Sequence, residues 1–139
     1  MKFTVEGLPP KKDGANSMWG KGSTELCRIQ ELRRAAHAKA GRLGPFRRNI
    51  ALELEVHVPT RDIARVGDLD SFITGVCDGL MRAAGVQRET RWEGEGWDGL
   101  QPCEAVAIED DAHVTSIVAR KIADSDGRSW YSVVLEGER

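Results

Sequence analysis

The alternation across residues 50–58 limits the fold more than any other stretch of the chain. Ile50, Leu52, Leu54, Val56 and Val58 point one way, while Ala51, Glu53, Glu55 and His57 point the other. That is the period of a strand with one dry face and one wet face. Pro59 closes it, because proline cannot donate to the ladder. A sheet containing such a strand needs a helical layer over its apolar side. Two segments can supply one. From Ser23, a candidate N-cap, to about Ala40, the residues Leu26, Ile29, Leu32 or Arg33, and Ala36 share a helix face, and Gly41 ends it. After Asp70, a stripe of Ile73, Val76, Cys77, Leu80, Met81 and Ala84 repeats at helical spacing up to Gly85. Residues 2–6 read as a short strand ended by Gly7-Leu8-Pro9-Pro10. Residues 113–122 and 129–135 read as two more strands, and the Asp-Gly of their 124–128 connection signals a hairpin. The predicted fold is two-layer α+β: a four-stranded mixed sheet with two helices, in the order β-α-β-α-β-β, as a single domain over 1–139.

Composition bounds the function. At 139 residues with 40% apolar content the chain can bury a core, yet no apolar run is long enough to span a membrane. Lys2, Glu6, Lys11, Lys12 and Asp13 interrupt any signal-peptide core, and three cysteines without a close pair do not form a disulfide framework. A reducing cytoplasm fits both. The histidines at 37, 57 and 113 lack ligand spacing, and Glu53, Glu55 and His57 read as a solvated sheet face. The formal charge of −2 is unevenly spread. Between residues 28 and 48, Arg28, Arg33, Arg34, Lys39, Arg42, Arg47 and Arg48 face a single acid, Glu31. Such runs are usually solvated, but a local excess this large on an acidic chain points to phosphate. Lys11, Lys12 and Lys21 in the preceding loop serve either solubility or the same phosphates. Residues 87–106 hold no sustained period and carry Trp92 and Trp97, which reads as a long excursion packed on the body or on a partner.

The chemistry lies in carboxylates. Asp68 and Asp70 stand two apart, directly ahead of the second helix. Taken alone, Asp70 is a helix cap and Asp68 a solvated loop residue. A second acidic run, Glu109-Asp110-Asp111, opens a strand far along the chain. A loop pair plus a carboxylate from another element is what a hard divalent cation takes, with oxygen ligands from several directions.

Asp68-Leu69-Asp70-Ser71, then Asp78-Gly79-Leu80, then Asp110-Asp111-Ala112-His113-Val114 resembles the RusA family of Holliday-junction resolvases. The Leu8-Pro9-Pro10 and His57-Val58-Pro59 strand ends are similar too, and the likeness runs from about residue 1 to 136 in the same element order. The resemblance implies a homodimeric, Mg²⁺-dependent endonuclease, with Mn²⁺ as a substitute ion, that resolves branched DNA. It puts Asp68, Asp70 and Asp111 in the metal-binding and catalytic positions, with Asp110 adjacent and Asp78 structural. The metal would lower the pKa of a bound water and polarise a phosphoryl oxygen. Lys11, Lys12, Arg28, Arg33, Arg34, Arg47 and Arg48 would hold the DNA backbone. The chain departs from the family pattern in three places. Thr74 stands at the family's lysine and Ser71 at its asparagine, and an insertion occupies about 87–107. Lys121, Arg82 or a basic residue in the insertion is a candidate to supply the missing cation. Two other classes follow from these departures: a DNA-structure binder without efficient cleavage, and an accessory protein whose insertion is a protein-binding arm.

Overall fold

A computed structural model describes residues 1–12, 18–20, 22–86 and 91–139; Lys21 and the start of the excursion, 87–90, lie outside the described residues. The elements are β1 (Lys2–Glu6), α1 (Leu26–Ala40), β2 (Arg48–Pro59), α2 (Leu69–Leu80), β3 (Val114–Asp124) and β4 (Trp130–Glu138). The fold is α+β, a four-stranded mixed sheet with two helices, as the alternation and the two apolar stripes predict. On β2, Ile50, Leu52, Leu54, Val56 and Val58 are at most 1% exposed. They form the main core with Tyr131, Val133 and Leu135 of β4 and with Leu32, Phe72, Val76 and Leu80 of the helices. Each such buried aliphatic side chain contributes about 1.5–3 kcal/mol.

The strand order is β1-β4-β2-β3, with β2 parallel to β3 and antiparallel to β4. The expected β3–β4 hairpin therefore does not form. The 124–128 connection passes over the end of β2, and the two strands lie on either side of it. Burial explains the choice. Tyr131, Val133 and Leu135 are fully buried and demand a central strand, whereas β3 leaves Ile117 and Val118 about half exposed and tolerates an edge. The turn is fixed locally: Asp124 accepts hydrogen bonds from Trp130 Nε1 and from the Asp126 amide, which hold its carboxyl below the usual carboxylate range. Trp130 in turn stacks on His57 at 3.8 Å.

Helix α2 is the crossover between the parallel strands β2 and β3, so it runs antiparallel to both. It ends at Leu80 rather than at Gly85, and its buried face takes in Phe72, Gly75 and Gly79 beside Val76, Cys77 and Leu80. Ala84, predicted on that face, is exposed. The two glycines explain the wider face. A Cβ on Gly75 would sit 2.0 Å from the Pro10 carbonyl oxygen, and one on Gly79 would sit 2.8 Å from Leu32 Cδ2. The chain before α1 thus lies directly against the helix, where the Lys12 amide donates to the Ser71 carbonyl at 3.1 Å. Helix α1 starts at Leu26, later than predicted, because Ser23 Oγ accepts from the Glu25 amide in a local turn instead of capping.

The excursion packs on the body. Trp97 joins Met18, Trp19, Ile29 and Ala83 in a second cluster, with Trp92 partly buried against it. Among the described residues no helix is long and apolar enough to cross a membrane.

Candidate carboxylate site

The connection between β2 and α2 presents the first pair of carboxylates. Asp68 occupies the N-cap position with extended backbone, yet its side chain makes no capping bond. Asp70 lies within the first turn, and both residues are exposed. Neither carboxylate is used by the helix, so the capping role predicted for Asp70 is not the one observed. Two amino groups approach the same end. Lys121 Nζ donates to the carbonyls of Ile63 (2.8 Å) and Gly67 (3.1 Å), and Lys11 runs along Gly67, its Nζ 3.7 Å from where a Cβ would stand. Thr74 is directed into its own helix, its hydroxyl donating to the Asp70 carbonyl at 3.0 Å.

The second pair lies elsewhere. Asp110 Oδ1 accepts from the Ala112 amide at 2.9 Å and so caps the single 3-10 turn Asp111–His113 ahead of β3. The Asp111 amide donates to Met81 Sδ at 3.0 Å, at the far end of α2. Burial, with the negative charges of Asp111 and Asp78 adding to it, pushes the neighbouring Cys77 thiol up to about 12. Asp111 is therefore at the last turn of α2, while Asp68 and Asp70 are at its first. A helix of 12 residues separates them by about 18 Å. The predicted convergence of Asp68, Asp70 and Asp111 does not occur within one chain. Among the described residues no group of three or more His, Cys, Asp or Glu side chains could hold a metal ion. The reason is topological: a crossover helix returns the chain to the start of the next parallel strand. What precedes the helix and what opens that strand must lie at opposite ends.

The basic run also divides. Arg33 is fully buried and cannot meet DNA. Its Nε donates to the Leu100 carbonyl, Nη1 to those of Gly79 and Met81, and Nη2 to those of Gln101 and Glu104, at 2.6–3.0 Å. Its guanidinium also lies 5.4 Å from the Trp19 ring centroid. Burial pulls its pKa down to about 10, which leaves it charged at neutral pH. Its position on α1, four residues after Ile29 and three before Ala36, was the available signal that it faces inward. Arg28 pairs with Glu25 at 3.5 Å, Arg34 pairs with Glu31, and Lys12 pairs with Asp78 at 2.7 Å. Arg47 and Arg48 are exposed, and their guanidinium groups have no partner among the described residues. They sit beside the Asp111 end, since Phe46 bridges to Ile108. No protein-family model and no curated protein matches the chain.

Proposed function

We propose that the chain is a RusA-like, Mg²⁺-dependent endonuclease for branched DNA whose working unit is a homodimer. The carrying observation is that the two halves of the carboxylate set flank one open edge strand. Asp111 stands at the start of β3, and Asp68 and Asp70 lie over its end, where Lys121 reaches Gly67. Antiparallel pairing of β3 with β3 of a second copy would carry each chain's Asp111 toward the other chain's Asp68 and Asp70. Two sites related by a two-fold axis suit the equivalent strands of a four-way junction.

Charge favours that direction of pairing. Asp110 and Asp111 precede the strand, while Arg120, which pairs with Glu55, and Lys121 lie near its end, so antiparallel copies bring each acidic start toward the other copy's basic residues. The exposed Ile117 and Val118 near the middle of β3 are apolar surface that a long unpaired edge seldom leaves uncovered. Strand addition would cover it and satisfy the free backbone groups. Arg47 and Arg48, with Lys11 at the other end, would contact phosphates and give salt-dependent, sequence-tolerant binding.

Mixing two inactive variants tests the reading. Asp70→Asn and Asp111→Asn are each expected to lack cleavage of a synthetic four-way junction in Mg²⁺ or Mn²⁺. If sites are shared, the mixed dimer regains one intact site and nicks the junction. If each chain holds its own site, the mixture stays inactive. A second reading, a junction binder without efficient cleavage, is favoured by Thr74, whose hydroxyl is bound to its own helix and offers no charge. Tight junction binding by the wild-type protein without any cutting would select it.

A further inference from the structure

We infer that Lys121 is a positioning residue for Asp68 and Asp70, an ammonium that fixes the connection between β2 and α2 to the edge strand. The geometric part of this inference stands alone, and its catalytic consequence rests on the nuclease reading above. Lys121 is in register with Val56 on β2, so its side chain leaves the sheet on the helix-covered face. Both of its acceptors are main-chain carbonyls, one at Ile63 and one at Gly67. The lysine is thus bound to the path of the chain rather than to an acid.

That path needs an anchor. After the 3-10 turn Thr60–Asp62, the amides of Arg65 and Val66 donate back to the Asp62 carbonyl at 2.8 and 3.1 Å. The chain then turns through Gly67 at φ +130°, a conformation open to glycine and strained for other residues. Asp68 follows immediately, and its side chain makes no capping bond that would hold it. The next fixed point is the Phe72 amide, which donates to the Asp68 carbonyl at 3.3 Å. Lys121 thus bonds the residue immediately ahead of Asp68, while the Phe72 amide and the bond from the Lys12 amide to the Ser71 carbonyl fix the chain after it. An ammonium with three donors can serve both carbonyls of this bend. Ile63 and Val66 of the same bend, and Ala119 two residues before Lys121 on β3, are partly buried against the main core.

The test uses full-length Lys121→Met and Lys121→Arg proteins with two readouts. Amide hydrogen exchange is measured without DNA, and junction cleavage is measured in Mg²⁺ or Mn²⁺. In Lys121→Met, the Arg65, Val66 and Phe72 amides should exchange about tenfold faster or more, as loss of charge-assisted hydrogen bonds predicts, while α1 and β1 amides keep wild-type rates. Lys121→Arg should recover most of that protection. Cleavage should fall about tenfold in kcat with KM nearly constant, because carboxylates rather than DNA contacts are displaced. Unchanged exchange of those three amides in Lys121→Met overturns the inference, and so does equal acceleration along the whole chain. A wild-type protein that cuts no junction overturns the nuclease reading alone, since the exchange experiment still decides the anchor.

Discussion

The two ends of α2 are built on opposite plans. At its C-terminal end the main chain is tied down. The Leu80 carbonyl accepts from the Val106 and Ala107 amides, the Ala83 amide donates to the Pro102 carbonyl, and Arg33 takes the carbonyls of Gly79 and Met81. At its N-terminal end two exposed carboxylates have no hydrogen-bond partner among the described residues, and the main chain ahead of them is held by Lys121. A helix locked at one end can present groups at the other without losing its place on the sheet. The difference separates residues that set stability from residues that can be changed with little structural cost. The buried guanidinium also makes the excursion part of this fold, because Leu100, Gln101 and Glu104 share it with α2.

The largest expected effect is at the locked end. Arg33→Ala takes the donor from five carbonyls, two of them (Leu100 and Gly79) in buried bonds and three partly buried, and opens a cavity beside Trp19; each unsatisfied buried group costs about 1–3 kcal/mol. Denaturant unfolding should show a loss of more than about 3 kcal/mol, with Arg33→Lys recovering only part of it, since an ammonium has three donors. A near-neutral Arg33→Ala would mean that the excursion is an appendage. The middle of the helix comes next. Gly75→Ala drives a methyl group into the Pro10 carbonyl and should cost about 1–3 kcal/mol by overpacking. At the open end, Asp68→Asn with Asp70→Asn should leave stability within about 0.5 kcal/mol while abolishing metal-dependent cleavage. Loss of stability comparable with Gly75→Ala would show that these carboxylates are structural.

Legibility in the sequence followed the same division. The dry face of β2 and the existence and order of all six main elements could be read from residue periods, because those periods are imposed by the sheet and its helical cover. Neither the hairpin nor the site could. Asp-Gly at 126–127 specifies a tight local turn, but whether the next strand pairs beside β3 or across β2 depends on how much apolar surface it carries. Tyr131, Val133 and Leu135 decided that, and alternation alone does not rank strands by depth. Arg33 could be read both as an alternative to Leu32 on the inward helix face and as one more cation in a basic run, because charge density is counted along the chain, whereas a helix sorts residues by face. The carboxylates matched a family spacing, and spacing along the chain says nothing about which end of a crossover each one reaches.

The smallest effect on structure, and the sharpest test of the open end, is Thr74→Lys. Thr74 is exposed, and its hydroxyl bond to the Asp70 carbonyl is a back-bond that slightly destabilises a helix. Lysine is the better helix former and would stand four residues from both Asp70 and Asp78, so stability should rise by about 0.5 kcal/mol. Its ammonium would lie one turn from Asp70, roughly 6 Å away, where on the proposed nuclease reading negative charge would build on a phosphate under attack. Compensating such charge can be worth on the order of a hundredfold in rate, and a flexible lysine should recover about tenfold in junction cleavage with binding nearly unchanged. Combined with Asp70→Asn, the same substitution should stay inactive, because the gain depends on the carboxylate set. A folded Thr74→Lys protein that cuts no faster than wild type would show that the open end already has its cation. Lys121 and Lys11, which reach Gly67 from two sides, would then be the groups to replace next.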